Sequence, residues 1–187
     1  MIRKLIESPL VKVSLRYGAI GGLLCFGFVI SIYYIGQHPF LIYPYFDFRI
    51  PVFAFLLFFC VKEIRDYDRE GSLSFFQAMM SCLIFTIVFA TIASGLIWIF
   101  CVAQPEFLSS FITEATGQIK ALPPDIVERV GKEQLERNLS ALLLTHGSDL
   151  AIDYFGKSFI MSFFISVIIS VILRRQPSNL TEKPLDG

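Results

Sequence analysis

Charged residues are scarce in this sequence. Lysine, arginine, aspartate and glutamate make up 17% of its 187 residues, whereas a soluble globular domain carries about 25%. The sixteen basic and sixteen acidic residues balance, so the formal net charge at pH 7 is zero. Nothing in this charge balance indicates the basic surface that nucleic-acid binding needs, and we expect no nucleic-acid partner.

Residue patterns that support metal binding or catalysis are also missing. The four cysteines form no CxxC motif and no Cys/His cluster, so the sequence implies neither a disulfide framework nor a zinc site. His38 and His146 have no HxxxH or HExxH neighbour, and we expect them to be surface or capping residues. Phosphate loops, GxSxG and dinucleotide fingerprints are absent. The sequence therefore predicts no metal, no cofactor and no enzyme activity.

Long apolar runs are what the sequence does have. Hydrophobic residues make up 55% of the chain, including 20 phenylalanines, and a helix needs about 20 apolar residues to cross a bilayer. The second run is the weakest, because its charge-free part extends only from Ile50 to Val61. It crosses only if Arg49 and Lys62 reach towards opposite faces, and a re-entrant segment is the alternative. The predicted spans are residues 17–36, 44–64, 75–103 and 154–173.

The distribution of basic residues predicts the orientation in the membrane. Ten of the sixteen lie in short segments beside the predicted spans, which places those segments and both termini in the cytoplasm. The segment 104–153 carries four basic and eight acidic residues and is predicted to lie outside. Its apolar spacing predicts two amphipathic helices, the second running from Pro124 to a stop at His146 and Gly147. This segment caps the spans, lies at the outer interface or forms a partner or ligand surface. The tail 176–187 is predicted to be disordered.

Small residues recur at every fourth position in three of the predicted spans. Residues four apart share one face of a helix, and small side chains let membrane helices approach closely and form hydrogen bonds between helices. Serines that bond their own helix and a polar pathway are the alternatives. The predicted packing seam consists of Gly18, Gly22, Ala78, Cys82, Thr86, Ala90, Ser94, Ser158, Ser162, Ser166 and Ser170.

A charged turn, KEIRDYDREGSLSFFQAMMS at residues 62–81, precedes the third span. Ser72 or Ser74 is expected to cap the helix that follows. The turn is either a well-capped helical hairpin or a docking site for a cytoplasmic partner. In the second case the docking residues are Lys62, Arg65, Asp66 and Gly71.

The pattern K-x-x-R-D-x-x-x-x-G-x-L-S-F-x-Q-A in this turn resembles the hallmark of a bacterial membrane-protein family, found mainly in Bacteroidota and known as domain of unknown function 4199. The resemblance covers nearly the whole chain. It implies a membrane architecture and location, and it transfers no functional residues because the family has no assigned activity. The matching residues are Lys62, Arg65, Asp66, Gly71, Ser74, Phe75, Gln77, Ala78, Pro105, Phe107, Arg174 and Arg175.

Together these features predict an all-α integral membrane four-helix bundle of the inner membrane with a helical extracytoplasmic segment. The leading functional hypothesis is a non-enzymatic interaction, accessory or scaffold protein. Its expected partners are membrane lipid and either a second copy of the chain or another membrane protein. The alternative is an oligomeric transporter or channel for a small solute or ion. A third is an envelope or lipid-acting enzyme, for which His146, Asp149 and Asp153 are the candidates.

Overall fold

The computed structural model describes residues 8–42 and 47–174. In these ranges the regular elements are seven α-helices and one π-helical turn. The helices are α1 (Pro9–Tyr34), α2 (Arg49–Glu63), α3 (Phe75–Ala103), α4 (Pro105–Lys120), α5 (Pro124–Val130), α6 (Lys132–Leu143) and α7 (Gly147–Leu173). The predicted disordered tail, residues 176–187, lies outside the described residues.

The first helix, α1, begins earlier than the predicted span at 17–36. Pro9 occupies its first turn, where proline is well tolerated, and Ser8 accepts a backbone hydrogen bond from Lys12 at 3.1 Å. The helix ends at Tyr34, and Gly36 has a φ of 94°. Because such a left-handed conformation suits glycine and stops a helix, the end falls two residues before the predicted one.

The second helix, α2, is shorter than the predicted second span, residues 44–64. It has 15 residues, about 22 Å at 1.5 Å per residue, and it continues into the π-helical turn Ile64–Asp68. Residues 44–46 of the predicted span lie outside the described residues. Arg49 is buried, and its Nη1 donates a hydrogen bond to Ser158 Oγ at 3.2 Å.

Three of the described helices, α1, α3 and α7, are long and apolar enough to cross a membrane. The third predicted span and α3 have the same bounds, 75–103. Its N-cap is Ser74, whose Oγ accepts from the Gln77 N–H at 3.3 Å while Gln77 Oε1 accepts from the Ser74 N–H. This reciprocal pair is a capping box.

The last helix, α7, starts at Gly147 instead of at residue 154. The His146 N–H donates to Asp149 Oδ2 at 2.8 Å, so the Asp149 side chain caps the first turn. The α7 backbone also passes close to α3 here, because a Cβ at Gly147 would lie 2.6 Å from the Cβ of Cys101. The predicted stop at His146 and Gly147 is therefore the start of the next helix.

Between α3 and α7 lie the three helices α4, α5 and α6. The sequence predicts two helices here, but the second is broken at Gly131, which has a φ of 87°. It also ends at Leu143, before the predicted stop.

The chain divides into two compact units. The first contains the residues up to Gly22, Arg49–Ala90 and the residues from Ser158 onward; the second contains Leu23–Phe48 and Thr91–Lys157. The first unit packs around Phe53, whose ring centroid lies 4.5 Å from that of Phe89. The second unit packs around Phe107, which is fully buried and contacts several other rings.

Candidate functional site

The four serines of α7 are buried in the first unit: Ser158, Ser162 and Ser170 are 0% exposed and Ser166 is 2% exposed. A buried hydroxyl is costly unless it is hydrogen-bonded. Three of them have these polar neighbours: Arg49 Nη1 lies 3.2 Å from Ser158 Oγ, the Ser162 carbonyl oxygen 2.7 Å from Ser166 Oγ, and Cys82 Sγ 3.9 Å from Ser170 Oγ. Ser162 makes the closest contact with another helix.

The bond between α3 and α7 joins Thr86 and Ser162, whose hydroxyl oxygens lie 2.6 Å apart. Thr86 Oγ1 also donates to the Cys82 carbonyl of its own helix at 2.8 Å. Since a threonine hydroxyl carries one proton, Ser162 is the donor to Thr86. Both side chains are buried, so this pair ties two apolar helices together through a directed hydrogen bond.

A second hydroxyl pair, which the sequence prediction missed, connects α1 and α3. Ser14 Oγ donates to the Leu10 carbonyl at 2.8 Å and lies 2.8 Å from Ser81 Oγ, so Ser81 donates to Ser14. The Cys60 thiol of α2 lies 3.7 Å from Ser81. Ser14 could have been found, because it precedes Gly18 by four residues and extends the same rhythm. Ser81 carries no such signal.

Glycine allows α1 to approach α3 and α2. A Cβ at Gly18 would lie 2.8 Å from the Phe85 carbonyl oxygen, and one at Gly21 would lie 2.8 Å from Leu56 Cδ1. Gly22, the other predicted glycine, is buried. Both distances are below normal contact. At Gly18 the close atom belongs to the backbone and cannot move aside, so glycine is required there, whereas at Gly21 the close atom is the end of a leucine side chain.

The remaining predicted seam residues lie on α3. Ala78, Cys82 and Ala90 are fully buried in the first unit. Ser94 belongs to the second unit, is only partly buried and donates to the Thr91 carbonyl of its own helix at 3.4 Å. The structure thus brings the first-unit members of the predicted seam into one interior and leaves Ser94 outside it.

The charged turn is held together by its own motif residues. Arg65 Nε donates to Asp66 Oδ1 at 2.7 Å, and the Gly71 N–H donates to the Arg65 carbonyl at 2.9 Å. Gly71 has a φ of 82°, which favours glycine. The Lys62 ammonium lies 6.0 Å from the centre of the Phe58 ring. Arg65, Asp66 and Gly71 therefore shape the turn, and Lys62 is exposed on it.

An ion pair next to this turn connects α1 to α2. Arg16 Nη2 donates to both carboxylate oxygens of Glu63, at 2.6 and 2.7 Å, and the Tyr17 hydroxyl donates to Glu63 Oε2 at 2.9 Å. The sequence gives no sign of this contact, because Tyr17 and Glu63 are 46 positions apart in the chain. A partly exposed pair of this kind contributes about 0.2–1 kcal/mol.

His38 is buried in an aromatic cluster of the second unit, so the expectation of a surface histidine is wrong. Its Nδ1 accepts from the Phe40 N–H at 3.4 Å, and the proton on Nε2 is therefore donated to the Phe107 carbonyl at 3.1 Å. Burial lowers the pKa of His38 to about 4, an effect that the bond to Phe107 only partly opposes. The rings around it belong to Tyr33, Phe40, Phe107 and Phe111.

A groove of about 570 Å³ lies in the second unit between α4 and α6. Ligand pockets typically have volumes of about 300–1,000 Å³ and mostly apolar walls. Three uncharged polar side chains also line it: Gln118, Asn138 and Thr145. Its apolar lining comes from Leu41, Ala115, Ile119, Leu122, Ala141 and Leu142. Sequence reasoning did not predict this groove, because it depends on how the two helices pack.

The residues proposed for the enzyme alternative have structural partners. His146 Nδ1 lies 3.6 Å from Asp149 Oδ2, and Asp149 caps α7 as described above. Asp153 pairs with Lys157 at 2.6 Å, as their spacing of four residues favours. Among the described residues, no group of three or more His, Cys, Asp or Glu side chains could hold a metal ion.

The three apolar helices α1, α3 and α7 are compatible with a multi-pass membrane protein. The chain belongs to the family described as "Protein of unknown function (DUF4199)", whose model matches residues 16–175. This finding confirms the family resemblance of the charged turn. No curated protein and no solved structure matches the chain.

Proposed function

We propose that this protein is a non-catalytic interaction or accessory protein of the bacterial inner membrane. The observation that carries the proposal is the use of buried polar side chains between helices in the first unit. Ser14 pairs with Ser81, and Thr86 pairs with Ser162. Hydroxyls bonded in this way contribute to helix association, which supports a structural use of the seam instead of a catalytic one.

The proposed topology has four crossings, α1, α2, α3 and α7, with both termini in the cytoplasm. The positive-inside rule supports this orientation, since the segments flanking the apolar helices hold most of the basic residues. The helix Arg49–Glu63 has 15 residues, fewer than the roughly 20 that a bilayer requires, so the proposed second crossing keeps the predicted span, residues 44–64, with Lys62 at its cytoplasmic end.

The partner we propose is a second copy of the chain or another membrane protein, docked on the cytoplasmic turn. Purification from native membranes in mild detergent, followed by mass spectrometry and light scattering, tests this proposal. We expect a recurring partner or a dimer. Lys62→Glu should reduce partner recovery, because Lys62 is exposed on the turn, whereas Lys132→Glu on α6 should not. Repeated recovery of a lone monomer would overturn the proposal.

One observation favours transport as a second candidate function. Arg49 is a buried cation on an apolar helix and bonds Ser158, and ionisable groups in membrane segments often mark ion or substrate paths. The test is flux of small solutes and ions into liposomes containing the purified protein, compared with Arg49→Gln. Absence of flux across a broad panel, or equal flux in the variant, counts against a path through Arg49.

A further inference from the structure

Short segments connect the elements that line the α4–α6 groove to the proposed membrane-spanning helices. Only Gln104 separates α3 from α4, and only residues 144–146 separate α6 from α7. Leu41, which also lines the groove, follows the end of α1 by seven residues. Leu142 and Thr145, on the α6 side of the groove, lie within five residues of the start of α7, and next to a membrane-spanning α7 lipid is the most abundant apolar ligand.

The chemistry of the lining fits an acyl chain with a neutral polar end. Among the residues that line the groove, none is charged. Asn138 Oδ1 accepts from Gln134 Nε2 at 3.1 Å, so the group that Asn138 offers to a ligand is its NH2 donor. Gln118 supplies a second amide and Thr145 a hydroxyl. Ester oxygens are acceptors, and amide N–H groups are suitable donors to them.

The apolar surface continues beyond the groove at the last turn of α6. Leu142 lines the groove, and the next two residues, Leu143 and Leu144, are 66% and 72% exposed. Large apolar side chains exposed next to an apolar groove are typical of surfaces that meet another apolar body. Since this turn leads directly into α7, the lipid surface is the nearest such body.

We propose that the α4–α6 groove binds an acyl chain of a membrane glycerolipid, with its ester group at Gln118 and Asn138. The chain enters over Leu143 and Leu144, and its methylenes contact Ala115, Ile119 and Ala141. The proposal depends on the membrane location of the chain and is independent of any protein partner.

Photo-crosslinking of the full chain in phosphatidylcholine nanodiscs tests this site. The probe is a phosphatidylcholine with a diazirine on its acyl chain, and adducts are mapped by peptide mass spectrometry. We expect adducts on α4 and α6 in addition to those on the membrane helices. Ala141→Trp, which fills the groove from an exposed position of α6, should reduce the groove adducts about tenfold.

The matched control is Ser140→Trp, the neighbouring exposed position, which does not line the groove. It should label as the wild type does. Gln118→Trp fills the groove from α4 and provides a second variant if Ala141→Trp fails to fold. Adducts confined to α1, α3 and α7, or equal groove labelling in wild type and both groove variants, would overturn the proposal.

Discussion

A single methyl group is enough to disturb the contact between α1 and α3, because the Cβ site at Gly18 already lies 2.8 Å from a carbonyl oxygen. We expect Gly18→Ala to lower the free energy of unfolding by about 1–3 kcal/mol through overpacking. Gly27→Ala is the control on the same helix, since an added Cβ there meets no atom within 4 Å. Thermal unfolding in mild detergent measures both.

Both alanine variants gain helix propensity, up to about 1 kcal/mol. Gly27→Ala should therefore be as stable as the wild type or slightly more stable, and the difference between the variants isolates the steric cost. Equal thermal unfolding midpoints for Gly18→Ala and Gly27→Ala would show that α1 and α3 are not in close contact at Gly18.

The pair formed by Thr86 and Ser162 gives a second prediction. Ser162→Leu should destabilise the protein by about 1–3 kcal/mol, because a large side chain enters a fully buried site. Ser162→Ala, which loses the hydrogen bond to Thr86, should cost about 0.6 kcal/mol and at most about 1.7. Thermal unfolding of the variants checks both values.

Ser94→Ala is the control for the serine variants, because Ser94 is only partly buried and bonds its own helix. A double-mutant cycle of Ser162→Ala with Thr86→Val measures the coupling. A coupling energy near zero would contradict the hydrogen bond, and wild-type stability of Ser162→Leu would contradict the packed seam itself.

At residue level, the sequence indicated which α7 hydroxyls share a face but not what they contact. The spacing of Ser158, Ser162, Ser166 and Ser170 follows from helix geometry. The partners depend on the rotation of the neighbouring helices, which apolar sequence does not encode. For the same reason the sequence predicted a surface or capping role for His38 and did not indicate the aromatic rings that surround it.

At the scale of elements, His38 connects the loop after α1 to the start of α4 through its bond to Phe107. The stability that this contact contributes should depend on pH. The pKa of His38 is 6.5 in the unfolded chain and about 4 in the folded protein. Protonation therefore favours the unfolded state between these values. The stabilising contribution is complete above pH 6.5 and is lost as the pH falls towards 4, by up to about 3 kcal/mol.

Unfolding midpoints measured from pH 7.5 to 4.5 check this dependence. His38→Phe should flatten the decline with pH, because phenylalanine does not titrate and can occupy the aromatic cluster. His146→Gln, at an exposed histidine, should retain the decline. A slope that is the same in wild type and His38→Phe would show that His38 does not cause it.

Charge and capping residues mark some of the element bounds in the sequence. The bounds of α3 follow from an uncharged stretch with Ser74 before it. The early start of α7 was not predicted, although the sequence does contain its signal: the side chain of Asp149 caps the first turn. Gly131 also marks a break in the sequence, but only its positive φ shows that the chain turns there.

At the scale of the whole molecule, the open structural question is whether α2 crosses the membrane. We expect reporter fusions at Asp68 and Lys120 to report opposite sides, because α3 lies between them. Labelling of a single cysteine at Gln37 compared with one at Asp68 tests α2 itself. In the four-crossing arrangement the two positions are on opposite sides. Labelling from the same side would establish a re-entrant α2.

The single-residue connection at Gln104 restricts how this chain can change in length. Each added residue would rotate α4 by about 100° relative to α3 and would carry Phe107 away from the rings of Tyr33 and His38. Insertions and deletions should therefore be rare around Gln104 in related sequences.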